Sequence, residues 1–293
     1  MNRHCHTHAS RLSDGAALEW PGHLTLSAGE VVEEDRSVLT RVTGPPDRIE
    51  AYGPLPEQVA DIRSAAIEAA DRPLLILVHG GFWRPHIDRT HTGPMAESLA
   101  MAGWTVASLE YRRVPGAPDL TVEDLTLAIQ TLPQLVSRHD GRVLVVGHSA
   151  GGHLALWLAA MRPHSALSGV LALAPAADLQ LAHELELGNG AAAAFVGAAP
   201  ETRPDLDPRR MRSPLIATTI LHGDADAVVP PSLSRAYAAA HPQTRLIVLE
   251  GVGHFPVIDP QSAAWSAVSA ELERLADWPA RAPSRREPAA RPR

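Results

Sequence analysis

Val143-Leu144-Val145-Val146-Gly147-His148-Ser149-Ala150-Gly151-Gly152-His153-Leu154 runs four apolar residues into Gly-His-Ser-Ala-Gly, and a helix-favouring segment continues to Met161. Buried strand, tight turn and helix, in that order, are the setting in which a G-x-S-x-G pentapeptide holds its serine at the tip of a strained turn. Small residues at Gly147 and Gly151 let strand and helix approach each other without side-chain overlap. The free N–H groups and partial positive charge of the helix N-terminus then face the place where an oxyanion would form. A glycine-rich turn with an incidental serine explains the five letters but not their setting.

Similar units lie on both sides. Leu74 to Val78 are five consecutive apolar residues ending in His79-Gly80-Gly81, the pattern of a central parallel strand buried on both faces. Gly93 to Ala100 reads as a helix with Pro94 in its first turn and Gly103 beyond its end. Trp104 to Glu110 reads as a strand. From a Thr121 cap to about Arg138, Val122, Leu125, Ile129, Leu132 and Val136 repeat at helical spacing, with a kink expected at Pro133. Downstream, Gly169–Ala174, Ala217–His222 and Leu246–Leu249 read as strands. A last helix, with Ser262 as its cap, carries Trp265, Val268, Leu272 and Leu275 on one stripe. This alternation predicts an α/β fold, a mostly parallel central sheet flanked by helices.

Ahead of it, Leu24–Leu26, Val38–Val42, Ile49–Tyr52 and Val59–Arg63, punctuated by prolines and glycines, read as antiparallel edge strands. Residues 23–280 are expected to form one domain. The rhythm breaks at 175–214, with helix candidates at Leu179–Leu187 and in an alanine run from Ala191. This stretch reads as an insertion over the carboxyl end of the sheet, a lid and one wall of a pocket. Residues 1–22 and 281–293 are polar or Pro/Arg-rich and are expected to be disordered.

Composition excludes other classes. With 293 residues, 45% of them hydrophobic, the chain can fill a large core. The net charge is −7 and every basic residue is arginine, so no overall basic field invites nucleic acid or an anionic membrane. The single cysteine, Cys5, excludes an intrachain disulfide and fits a reducing compartment. No signal-like N-terminus and no apolar run near the ~20 residues of a membrane span are visible, so a cytoplasmic protein is expected. His4, Cys5, His6 and His8 are metal-ligand types with nothing structured nearby to close a site, and no metal or cofactor is expected.

A serine hydroxyl needs a base to take its proton and a third group to orient that base. In this topology the acid should follow one later strand and the histidine the next. Ile220-Leu221-His222-Gly223-Asp224-Ala225-Asp226 supplies the acid: Asp226, at the His-Gly-x-x-Asp spacing, is favoured over Asp224, which would brace the loop. Leu246–Leu249 leads into Glu250-Gly251-Val252-Gly253-His254-Phe255, where His254 is the expected base. The amides of Phe82 and Ala150, with Gly81 as a further donor, are the expected oxyanion hole. His79 is expected to brace that loop. Trp83 and His148 are candidate pocket residues, although His148 and His153 also suit local packing, and Trp157 reads as core.

These residues together resemble the α/β-hydrolase superfamily, over about residues 24 to 278. The elbow, the His79-Gly80-Gly81-Phe82-Trp83 block and the triad order carry the likeness. Within it, the chain is similar to the esterase/lipase-like branch with an H-G-G-x-W motif, which includes small carboxylesterases and serine-dependent arylformamidases. The arylformamidase pattern is His-Gly-Gly-Tyr-Trp, and here Phe82 replaces the tyrosine. Glu110-Tyr111-Arg112 and Gly251-Val252-Gly253-His254-Phe255 also match that branch. The resemblance implies a triad of Ser149, Asp226 and His254 acting on a small ester or amide through an acyl-enzyme. The alternatives are an arylformamidase acting on N-formylkynurenine and a non-catalytic ligand-binding module on a hydrolase scaffold. Oligomeric state is not legible in the sequence.

Overall fold

The computed structural model describes residues 34–65 and 72–278. The segment expected to pair at Leu24–Leu26, the arm 1–22 with its His/Cys cluster, and the tail 281–293 lie outside the described residues.

Eight strands form one sheet in the order β1-β2-β4-β3-β5-β6-β7-β8. β1 (Arg48–Ala51) and β2 (Val59–Arg63) are an antiparallel edge, and β2 pairs antiparallel with β4. β3 (Leu74–Val78), β4 (Val106–Leu109), β5 (Val143–His148), β6 (Leu167–Leu173), β7 (Ala217–Gly223) and β8 (Arg245–Leu249) are parallel. Every residue of β3, β4 and β5 is buried, which is why Leu74–Val78 and Val143–Val146 read as unbroken apolar runs instead of alternating ones.

Two cores result from the period-2 geometry of the strands. Leu74, Ile76, Val78, Val143 and Val145 face α2 (Pro118–Leu135), α3 (Ala150–Met161) and α6 (Ser232–Ala240). Leu75, Leu77, Leu144 and Val146 face α1 (Gly93–Met101) and α7 (Trp265–Ala276). The stretch 175–214 adds α4 (Leu179–Glu184) and α5 (Leu187–Val196) on the first of these cores, through Leu179, Leu187, Ala191, Phe195 and Leu206. Among the described residues no helix is long and apolar enough to cross a membrane.

The structure departs from the sequence expectations at the edges. Val38–Val42 is no strand: Ser37–Thr40 makes a 3-10 turn, with Val38 buried in the second core and Val42 93% exposed. Apolar alternation alone does not make a strand where no neighbour offers a ladder. α2 begins with Pro118 in its first turn, and Thr121 donates its hydroxyl to the Arg112 carbonyl instead of capping. Ser262 likewise bonds the Pro256 carbonyl, and α7 starts after it. α6 went unread, although Leu233 and Tyr237, four apart, are its two fully buried apolar positions.

Candidate active site

At the end of β5 the chain turns through Ser149 (φ 57°, ψ −118°), a conformation in which an L-residue is strained. Close packing enforces it. A Cβ at Gly147 would overlap the Gly151 carbonyl, and one at Gly151 would overlap the carbonyls of Val78 and His79. Ala150 opens α3, so its N–H lies ahead of the helix's own hydrogen bonds. Ser149 is 1% exposed, and its Oγ has no hydrogen-bond partner among the described residues.

The loops after β7 and β8 meet each other beside His148, the residue before Ser149. His254 Nδ1–H donates to Asp226 Oδ2 at 2.7 Å, while its Nε2 is buried and, like the serine hydroxyl, without a partner. Ser149 Oγ and His254 Nε2 are not hydrogen-bonded to each other, a common state of such pairs in the absence of substrate. The His148 ring, next to Ser149 in sequence, lies 4.6 Å from the His254 ring. Asp226 is gripped on both oxygens. Oδ1 accepts the N–H groups of Val228 and Val229 at 2.8 and 2.7 Å, and Oδ2 also accepts His222 Nε2–H at 3.1 Å. Burial raises the Asp226 carboxyl, but the charge of His254 and the bonds from His222 and His254 outweigh it and hold the group well below the usual carboxylate range. Asp224 instead accepts the Gly251 N–H at 2.7 Å and braces the loop between β8 and His254.

On the other side, the chain after β3 turns with positive φ at three successive residues, Gly81, Phe82 and Trp83, closed by the Arg84 N–H on the Gly81 carbonyl at 3.0 Å. A Cβ at Gly80 would lie 3.0 Å from Ser149 Cβ, so this turn sits directly against the elbow. Two buried groups hold it. His79 Nδ1–H donates to the Gly80 carbonyl at 2.8 Å, and its Nε2 accepts from Arg113, which is paired with Glu110. From above, the insertion clamps it: Trp83 stacks on Phe195 at 4.9 Å, and Arg84 Nη2 donates to the Gly188 carbonyl at 2.6 Å. Gly188 itself has no room for a Cβ above the Phe82 ring.

This geometry can be set beside known proteins. A family model described as BD-FAE matches residues 60–183. Esterase B from Lactobacillus rhamnosis superposes with a TM-score of 0.65 at 19% identity, over 80% of this chain and 87% of that one. The chain has the α/β-hydrolase fold. Among relatives sharing sequence, esterase LipC of Mycobacterium tuberculosis is 27% identical over 289 aligned positions, covering 84% of this chain and 67% of LipC. The kynurenine formamidase of Danio rerio is 32% identical over 105 residues, 36% of this chain and 35% of the formamidase. The chain thus spans about a third of the length of the kynurenine formamidases that it matches.

Within this α/β-hydrolase fold the other sequence candidates fall into place around the elbow. His148 is 3% exposed and donates Nε2–H to the His254 carbonyl at 3.1 Å. Burial, then the neighbouring His254 ring, pushes its pKa well below the ordinary histidine value, so it stays neutral. Trp83 is enclosed between Phe195 and His153, which it meets edge-on at 5.2 Å. His153 and Trp157, both on α3, anchor the insertion by donating to the carbonyls of Leu206 at 2.8 Å and Asp205 at 3.0 Å. His222 drew no role from the sequence, although the His-Gly-x-x-Asp spacing that singled out Asp226 contains it. Its Nδ1 accepts from Ser234 at 2.6 Å, which fixes the tautomer that donates to Asp226. Glu34, remote in sequence, carried no signal at all: it accepts the backbone N–H groups of His254 and Phe255.

Proposed function

We propose that the chain is a serine hydrolase that cleaves small carboxylic esters or amides through an acyl-enzyme. The carrying observation is His254, with Nδ1–H engaged by Asp226, Nε2 buried and unpaired, and its ring 4.6 Å from that of His148, the residue before the elbow serine. In this reading Ser149 Oγ attacks the carbonyl carbon while His254 Nε2 takes its proton. The negative oxygen is received by the amides of Phe82 and Ala150, with Gly81 beside them, and Asp226 steadies the imidazolium. Collapse of the tetrahedral species expels the alcohol or amine, protonated by His254. A water molecule, deprotonated by the same nitrogen, then attacks the acyl group and releases the acid. The stretch 175–214 forms a cap and one wall of the substrate site, over the turn that holds Phe82. With one cysteine and an acidic net charge, we assign the protein to the cytoplasm, with no nucleic-acid partner.

The reading is supported by relatives that are themselves named esterases, and esterase B has been solved inhibited by a tributyrin phosphonate. The test is turnover of short p-nitrophenyl esters together with labelling by a fluorophosphonate. Ser149→Ala is expected to lower kcat by at least about 10³-fold and to abolish labelling. Near-normal turnover in that variant refutes the mechanism.

A second reading, hydrolysis of N-formylkynurenine, has the 105-residue match to the kynurenine formamidases in its favour. Against it stands Phe82 in place of the arylformamidase tyrosine. Comparing kcat/KM for N-formylkynurenine with that for p-nitrophenyl acetate decides between them.

A further inference from the structure

A segment 220 residues away in sequence clasps the loop that carries the proposed base. Glu34 Oε1 accepts the N–H of His254 and, at 3.2 Å, that of Phe255. Gly253 leaves the space that this carboxylate fills, since a Cβ there would collide with it. The contacts continue in order along both chains. Arg36 lies over the Phe255 ring at 5.7 Å, and Val38 is buried in the cluster that contains Phe255, Val257 and Ile258. Arg41 closes the strap with a two-pronged ion pair to Asp259, one arm at 2.8 Å. Residues 34–41 therefore track residues 253–259 from end to end.

Two consecutive amides directed at one carboxylate fix the peptide planes on either side of the His254 side chain. Asp226 orients the ring about its own bonds but cannot fix the backbone from which the ring hangs. Misplacement of a catalytic group by about 1 Å can cost on the order of a hundredfold in rate. The carboxylate also adds a negative charge near an imidazole that becomes cationic during the reaction. We propose that Glu34 is a positioning residue of the proposed base: through the His254 and Phe255 amides it fixes the backbone that aims Nε2 at Ser149, and its charge favours the imidazolium. The inference rests on the serine-hydrolase reading.

The groups that face His254 are known from each element packed on it. The loop after β7 contributes Asp226 and, behind it, His222, while Asp224 holds the Gly251 amide. The end of β5 contributes the neutral His148, and the strap contributes Glu34, with the Arg36 guanidinium over the neighbouring Phe255 ring. Burial raises the Glu34 carboxyl above its ordinary value, with the Phe255 amide and His254 pulling it back.

The experiment measures kcat, KM and the pH dependence of kcat/KM on p-nitrophenyl acetate for the full chain, Glu34→Ala and Glu34→Gln, with melting temperatures for each. In Glu34→Ala, kcat is expected to fall about tenfold or more with KM little changed. The acid limb of the profile should move to lower pH, because removing an anion disfavours protonation of the base. Glu34→Gln keeps an acceptor oxygen without the charge, so it should recover most of the kcat while retaining the shifted limb. Unaltered kcat and an unmoved limb in Glu34→Ala overturn the assignment. So does a loss of kcat that follows melting temperature alone and is not recovered by glutamine. If the wild-type chain neither turns over ester nor reacts with a fluorophosphonate, the hydrolase reading fails first, whatever Glu34 does.

Discussion

Asp226 receives four hydrogen bonds, from two backbone amides and two imidazoles, and Asp224, two residues earlier, receives one from Gly251. In sequence the two acids differ only by spacing. In space one touches the histidine and the other supports the loop. The predicted consequence is a separation of effects. Asp226→Asn keeps the shape but removes the charge and the tautomer control, and kcat is expected to fall about 10³- to 10⁴-fold. Asp224→Asn is expected to stay within about fivefold of wild type, because an amide oxygen still accepts from Gly251. Steady-state kinetics on one ester for both variants checks this, and equal losses would mean that the acid has been misassigned.

The strand–turn–helix unit β5–α3 and the turn after β3 are built against each other, and this sets their tolerance to substitution. Gly151 faces main-chain carbonyls of Val78 and His79, and backbone cannot rotate away as a side-chain tip can. Gly151→Ala is therefore expected to destabilise the fold by more than about 3 kcal/mol, read by urea denaturation. The positive-φ run Gly81-Phe82-Trp83 is strained, and strain persists only where its surroundings over-determine it. Here those surroundings are His79 on one side and Phe195 and Gly188 on the other, so the stretch 175–214 helps to shape the proposed oxyanion turn.

Across the whole molecule, a partly buried chain of ion pairs, ending in a hydrogen bond, joins the sheet edge to that turn: Asp61 on β2, Arg89, Glu110 at the end of β4, Arg113, and His79 at the end of β3. Burial alone would raise the Glu110 carboxyl, but its ion pair with Arg113, with the His79 ring beside it, holds it well below the usual carboxylate range. A depressed folded-state pKa contributes stability that is fully present above the unfolded value of about 4.5 and is lost as pH falls below it. Glu110→Gln, which leaves Arg113 buried without its countercharge, is expected to cost about 3–5 kcal/mol at pH 7, the gap to wild type narrowing below pH ~4.5. Denaturant titrations at pH 7 and in the acid range measure both. Most of this design was legible locally. The central strands β3 and β5 were readable as apolar runs because both their faces are covered, and the elbow glycines and the His-Gly-Gly turn follow from short-range spacing. The helix over Ser232–Ala240 was missed because only two of its nine residues, Leu233 and Tyr237, are large apolar side chains. The turn at Ser37–Thr40 was misread because a strand exists only where a neighbour supplies its ladder. What the sequence determined by itself was the succession of elements and the chemistry of each loop, since those depend on residues a few positions apart. Which strap holds the imidazole's backbone and what clamps Phe82 were decided only in the tertiary structure, because those contacts join residues about a hundred or more positions apart, and no local pattern encodes them.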